Sequence, residues 1–434
     1  MRRPRGSNVA GDYVSRPSPR VKRVLFAALA LLLLAAGTLG AYVLYELHLG
    51  RDIRGSSTVE FVTTQAAPPK PKEPGVFWPM YGYDPERQRA PTAFKLRPPF
   101  RRIWAFRAND LLEFPPVIAY GRLFFTSNTG TVFALSSRYG RRAWVYRSRR
   151  CAAASPAVHD HVVFQTFLNR PPCNSAQSPN DLDGEVIALG TRQGKIKWRA
   201  RIGPAESSPV VANGLVYLGD WRGTVYALGE RTGRPRWRFT AGGRVKDAPA
   251  LTGKRLFFGS YDGHVYAVNA LTGKLLWKAA AQPRLGGLGT FYSTPAVAYG
   301  RVYIGSTDGK LYSYGAASGK LRWSYGTGAY VYASPAVWRK RVLVGSYNGE
   351  FYALDAATGN RLWQFRANGA ISGSATVIDG IVYFASLTGR TYALDARTGR
   401  EVWTFPDGRY TPVVADPERL YLIGYTRIYG MVAR

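Results

Sequence analysis

Eight tryptophans recur along this chain at a nearly fixed step, and that step limits the fold more than any other feature. Trp104, Trp144, Trp198, Trp237, Trp277, Trp323, Trp363 and Trp403 are separated by 40, 54, 39, 40, 46, 40 and 40 residues. A glycine stands four residues before each of the last seven, at Gly140, Gly194, Gly233, Gly273, Gly319, Gly359 and Gly399. A proline opens each unit at Pro116, Pro156, Pro209, Pro249, Pro295, Pro335 and Pro412, with Ala375 in its place once. A period near 40 residues marks an array of small supersecondary units that bury their apolar faces only against one another.

Ser334–Trp363 shows what one unit is. Short runs rich in Val, Phe, Tyr and Leu are separated by turn residues, so they read as strands and not helices. Asn348-Gly349 reads as a tight hairpin turn with both residues at positive φ, and Asp355–Gly359 as a second turn. Each unit is therefore expected to be a four-stranded antiparallel meander. The first fragment, Arg101–Ala108, holds Trp104 but has no three strands before it. The last, Pro412–Arg434, has three strands and no tryptophan strand. Joined, they complete one blade. The fold class is all-β: an eight-bladed β-propeller closed by N- and C-terminal strands, which removes the open sheet edges of a linear array.

Ahead of the repeats the chain changes character. Residues 1–23 carry seven Lys/Arg against one acid and form a basic tail. Residues 24–46 are expected to be a transmembrane helix, since Val24–Tyr45 runs without a charge and is long enough to cross a bilayer. The basic cluster before it argues for a cytoplasmic N-terminus and a propeller on the far side of the cell membrane. A signal peptide cut after Gly40 is the competing reading. No cysteine precedes Cys151, so lipid attachment at an N-terminal cysteine is not expected. Residues 47–76 are rich in Ser, Thr and Pro and read as a semi-extended tether. The propeller domain is assigned to residues 77–434. Its first stretch, Trp78–Pro91, does not fit the repeat.

Two units are longer than the rest. One carries about 14 extra residues around Leu168–Asp181, and another about six, at residues 282–289. Such insertions lie on loops of one face. Cys151 and Cys173 belong to the first of these units. In an exported, oxidising compartment they would form a disulfide that pins the insert, and otherwise they would be two buried thiols.

The Ala-x-Asp-Ala-x-Thr-Gly-x-x-x-Trp run of Ala353–Trp363 resembles the repeat of the pyrroloquinoline quinone (PQQ) propellers, and Trp78–Asp84 looks like the leader of that superfamily. The resemblance spans about residues 78–434. It implies that the eight recurring tryptophans dock each blade onto its neighbour. It also leaves two functional branches open: quinoprotein dehydrogenases of alcohols and sugars, and non-catalytic scaffolds that include an envelope propeller assisting outer-membrane protein assembly. Fold alone does not choose between them.

The residues favour the second branch. Alcohol oxidation by PQQ needs a general base and a calcium ion with several oxygen ligands. The carboxylates before the inner strands are only Glu113, Glu206 and Asp247, and no adjacent cysteine pair occurs. His159-x-His161 reads as a surface pair on one strand face, and no metal site or catalytic residue is assigned. In a propeller the residues before each inner strand ring the channel mouth. The ligand candidates are accordingly Glu113, Lys246, Asp247, Tyr292, Tyr332, Arg409 and Tyr410.

Net charge adds a hint about partners. It is +32 overall and +6 in residues 1–54, leaving +26 on the part expected outside. That balance suits anionic lipids, acidic wall polymers or acidic proteins, and the expected compartment argues against nucleic acid. The sequence thus reads as a single-pass, membrane-anchored propeller acting as a protein-protein scaffold or ligand-binding module at the cell envelope, with no cofactor. The alternative is a membrane-bound, PQQ- and calcium-dependent dehydrogenase. A receptor-kinase sensor is disfavoured, since a 23-residue tail holds no catalytic domain.

Overall fold

A computed structural model describes residues 18–64, 73–171, 173, 184–284, 287–410 and 413–434. The basic tail before Ser18, most of the insert after Leu168 and the strand-opening Pro412 lie outside the described residues.

One helix, Pro19–Leu49, precedes the propeller. Within it, Lys22–Tyr45 is long and apolar enough to cross a membrane. The helix overruns the expected 24–46 at both ends. Arg20, Lys22 and Arg23 are good helix formers, so the helix does not stop where the apolar run stops.

The rest is all-β. Eight sheets form among the described residues. Blades 1 to 7 comprise residues 117–147, 157–202, 210–240, 250–280, 296–326, 336–366 and 376–405. Blade 8 is composite: Phe100–Arg107 pairs antiparallel with Arg427–Ala433, setting Trp104 opposite Gly430 and Ala105 opposite Tyr429. The two ends of the repeat array therefore share one sheet.

The recurrent Gly and Trp meet across blade boundaries. The glycine of one blade packs on the tryptophan of the blade before it. A Cβ on Gly359 would stand 2.8 Å from Trp323 Cδ2, and one on Gly399 2.7 Å from Trp363 Cε3. Each of these glycines also has positive φ, near +70°, a conformation L side chains resist. Several of the tryptophans then donate Nε1–H to a carbonyl of the next blade: Trp144 to Thr191, Trp198 to Glu230, Trp237 to Ala270 and Trp323 to Ala356.

Two expectations about local structure need correcting. In the Asn348-Gly349 hairpin only Gly349 has positive φ, and its N–H closes the turn onto Ser346 O at 3.0 Å. The loop has three residues, and the left-handed residue follows the turn. His159 and His161 do not share a strand face. His159 ends its strand, while Asp160 and His161 are left-handed in the turn. His159 pairs with Glu230 at 2.5 Å, and His161 stacks on Tyr120 at 4.1 Å.

The leader accounts for itself once it is placed. Val76–Trp78 adds a fifth strand inside blade 1, against Val117–Ala119. The following residues then present carbonyls to the innermost strands in turn. Pro79 O accepts from Val158 N, Pro85 O from Leu251 N, Glu86 O from Val297 N, Gln88 O from Val337 N, and Arg89 O from Val377 N, all at 2.7–2.9 Å. The inner edges of five blades are satisfied by one passing segment. Part of the tether docks too. Ile53 and Ser324 exchange backbone and side-chain hydrogen bonds, so residues 52–62 form a strap along blade 5. The strap is why Trp323 is fully buried while Trp363 is only half-buried.

Candidate functional site at the channel mouth

The inner strands leave a narrow channel, and its two ends differ. The underside is filled by the leader. Arg87 and Arg89 are buried there, at 0% and 1% exposure. The Arg87 guanidinium donates to Pro249 O at 3.0 Å, Ser208 O at 3.1 Å and Pro209 O at 3.2 Å, tying blades 3 and 4 together. Arg89 donates to Pro335 O at 3.3 Å and lies 4.7 Å above the Tyr81 ring. The Tyr81 hydroxyl reaches Ser374 at 2.7 Å. Burial and the neighbouring Arg89 push the Arg87 guanidinium down from its ordinary range.

Above Tyr81 lies a cavity of about 60 Å³, lined by Glu113, Phe114, Glu206, Lys246, Asp247, Tyr292, Tyr332 and Tyr410. Six of the seven residues expected at the mouth therefore meet in one place. Arg409 does not line it: its Nε donates to Leu387 O at 2.9 Å and its guanidinium covers Tyr425 at 4.7 Å.

Lys246 is the centre of the site. Its Nζ pairs with Glu206 at 3.3 Å and lies 4.4 Å from the Trp221 ring centroid, with Tyr261 and Tyr292 at 5.5 and 5.7 Å. An ammonium held among aromatic faces and one carboxylate is fixed in position by charge and by ring quadrupoles. The acids around it are protonated more readily than usual. Burial, then the charge of Glu206, push Glu113 up to about 7, with Lys246 opposing. Burial raises Glu206 against the pull of Lys246. Burial holds Asp247 well above the carboxylate range, although its Oδ2 accepts the Gly259 N–H at 2.8 Å. A group of closely placed carboxyls around one lysine can hold a proton, orient a donor or match a polar group from outside.

A crescent of aromatic rings borders this cavity. Tyr292 and Tyr332 meet edge to face at 5.2 Å, and Tyr332 meets Tyr347 at 5.1 Å and Tyr330 at 5.5 Å. Tyr330, Tyr347 and Tyr425 stay 49%, 36% and 43% exposed. Sequence reasoning missed Trp221, Tyr261, Tyr347 and Tyr425 because it considered only residues before the inner strands. The missed four sit in the turn between the second and third strands of their blades. In Asp-Trp-Arg-Gly, Ser-Tyr-Asp-Gly and Ser-Tyr-Asn-Gly the aromatic holds the same place, so aligning the repeats exposes it. The insert's anchor is also at this face: Cys151, just before blade 2, is joined to Cys173 by a disulfide with Cα atoms 5.5 Å apart.

Comparison with known proteins places this architecture. No curated protein sequence matches the chain. Among solved structures, BamB from Moraxella catarrhalis superposes with a TM-score of 0.63 at 17% identity, over 77% of this chain and all of that one. A quinohemoprotein alcohol dehydrogenase from Pseudomonas putida HK5 gives 0.71 at 16%, over 83% and 80%. A europium-containing methanol dehydrogenase gives 0.68 at 14%, over 83% and 98%. At such identities the likeness is one of fold. The family profile described as outer membrane protein assembly factor BamB matches residues 182–405, more than half of the sequence, and the chain belongs to that family of PQQ-like propellers.

Proposed function

We propose that this protein is a membrane-anchored scaffold of the cell envelope whose channel mouth docks another protein. The observation that carries this reading is the aromatic crescent. Tyr, Trp and Arg concentrate at the centres of protein interfaces because they bury large rigid area while keeping a polar handle. Here Trp221, Tyr261 and Tyr292 enclose the ordered Lys246–Glu206 pair, Tyr332 joins Tyr292 to Tyr330 and Tyr347, and Arg244 and Arg409 stack on Trp221 and Tyr425. The apolar helix holds the domain at a membrane, with the propeller outside the cytoplasm by the charge asymmetry of its flanks.

The dehydrogenase alternative finds less support in the residues present. A cavity of about 60 Å³ is small beside the roughly 300–1,000 Å³ of ligand sites. Calcium takes about 6–8 oxygen ligands. Of the three carboxylates at the mouth, Glu206 is engaged by Lys246 and Asp247 by the Gly259 N–H. Among the described residues no group of three or more His, Cys, Asp or Glu is placed to hold a metal ion. We therefore route no chemistry through a quinone. The test is reconstitution of the full chain with PQQ and calcium, followed by dye reduction with alcohols and sugars. The scaffold reading predicts no reduction above the metal-free control. Turnover that depends on PQQ would overturn it.

A further inference from the structure

In several blades an oxygen acceptor supports the turn between the third and fourth strands, and these blades supply it differently. In blades 6 and 7 the acceptor is built in. Asp355 Oδ1 accepts from Ala357 N, Thr358 N and Thr358 Oγ1, and Asp395 repeats the pattern with Arg397 and Thr398. In blade 4, Asn269 Oδ1 does the same for Leu271 N and Thr272 N.

Blade 5 has Gly315 at that position, and the carboxylate comes from elsewhere in the chain. Glu60 of the strap reaches in, accepting from Ser318 Oγ at 2.8 Å and from Arg322 Nε at 2.8 Å. A Cβ on Gly315 would stand 1.9 Å from Glu60 Oε2, so only glycine admits the visitor. Phe61 then stacks on Tyr299 at 5.4 Å, and Val62 N donates to Tyr299 O at 3.1 Å. Glu60 adopts φ +45°, which a glutamate rarely takes without compensation.

Blade 3 carries the same receptor. Gly229 replaces the acid, and the Gly229 N–H to Arg234 O and Gly233 N–H to Gly229 O bonds match those of Gly315 and Gly319 in blade 5. Thr232 stands for Ser318 and Arg236 for Arg322. A Cβ on Gly229 would lie 2.9 Å from Thr232 Oγ1 and 3.8 Å from Arg236 Nε, the two groups that hold Glu60 in blade 5. No carboxylate among the described residues takes this place: Glu230 is paired with His159, and Glu73 accepts from Asp160 N. Thr232 and Arg236 are exposed, as are Arg231 and Arg234. Beside them opens a cavity of about 1,080 Å³, with Val76, Pro79, Met80, Tyr83, Val158 and Val211 on its walls. Two differences are plain, and the first is that Asn213 stands where blade 5 has Tyr299, the ring that Phe61 stacks on. The second is that Leu215 replaces Arg301, whose guanidinium holds the Ser56, Val59 and Glu60 carbonyls of the strap. An occupant of blade 3 is held by its side chains more than by its backbone.

We propose that the underside of blade 3 binds an extended segment of a partner polypeptide that presents an acidic residue followed by a bulky apolar one. The carboxylate is received by Gly229, Thr232 and Arg236, and the apolar side chain enters the adjoining cavity. This site lies apart from the mouth and does not rest on the mouth's role. The test uses the full chain in detergent and a fluorescent peptide of residues 53–64, the strap's own sequence, read by anisotropy. The peptide is expected to bind. Changing its Glu60 to Gln, or changing the protein by Arg236→Ala or Gly229→Asp, is expected to weaken binding at least tenfold. Gly229→Asp is a safe variant, because Asp occupies this position in blades 6 and 7. Gly315→Asp leaves binding at blade 3 intact. Absence of binding to the wild-type chain, equal binding to Gly229→Asp, or a loss confined to Gly315→Asp overturns the proposal.

Discussion

The two ends of the channel solve opposite problems with the same inner strands. At the underside the chain supplies its own filling: leader carbonyls satisfy five inner strands, and two buried arginines bond carbonyls of several blades. At the mouth the chain stops short. Carboxyls shifted toward protonation and one caged lysine line a small cavity, and partly exposed tyrosines face outward. Buried arginines whose hydrogen bonds run to several blades serve the fold, whereas exposed aromatics beside an ordered charge pair are what the proposed docking would use.

The largest effect that could break this contrast is at the underside. Arg87→Met leaves the carbonyls of Ser208, Pro209 and Pro249 without their donor. Removing one partner of a buried charged network costs roughly 3–5 kcal/mol. Urea denaturation of the detergent-solubilised chain should show a loss of that size. A loss under about 1 kcal/mol would mean that the leader is an ornament on an already closed ring.

A smaller effect belongs to the strap. Glu60→Gln removes the ion pair with Arg322 and leaves the amide only part of the hydrogen bonding. The pair is partly exposed, so the cost should be about 1 kcal/mol. Limited proteolysis should cut within residues 52–64 faster than in the wild type. Burial works against ionisation of Glu60, but Ser318 and Arg322 outweigh it and lower its pKa. Its contribution is therefore present above the unfolded value of 4.5 and is lost as pH falls through the folded one. If protection of the strap persists unchanged at low pH, Glu60 is not what holds it.

The mouth has the reverse sign. Glu113 is raised from 4.5 to about 7, so between those values the native state binds more protons than the unfolded state. Its contribution is fully present below the unfolded pKa and fades as pH rises through the folded one. Glu113→Gln should flatten the fall in stability between about pH 4.5 and 7 while leaving the acid limb alone. Identical pH profiles for the two proteins would place Glu113 in water and not in the cavity.

How far the sequence announced all this depends on what each feature is made of. The Gly-Trp period is written in side chains, so blade number and the shared sheet of Trp104 and Tyr429 could be read directly. Glu113, Lys246, Asp247, Tyr292, Tyr332 and Tyr410 converge because the repeat fixes where each inner strand begins. The leader was opaque for the opposite reason. It works through backbone carbonyls, which any residue offers, and only the burial of Arg87 and Arg89 betrays its path. The docking of Glu60 was hidden as well. Its signal is the glycine at Gly315 where neighbouring blades have Asn or Asp, and that glycine has meaning only once the strap is seen beside it. Arg409 turns from the cavity onto Tyr425, a ring in a turn that sequence reading had left out.

The central claim is that the mouth, and not the leader-covered inner edge of the blades, meets the docked partner of the proposed scaffold. Site-specific photocrosslinking tests it most directly. A photoreactive residue is placed at Tyr330 or Tyr347, and in a parallel sample at Leu251 on the leader-covered inner strand of blade 4, in intact cells. The account predicts a discrete heavier adduct from the two mouth positions and none from position 251. Adducts of equal strength from both ends, or none from the mouth, would contradict it.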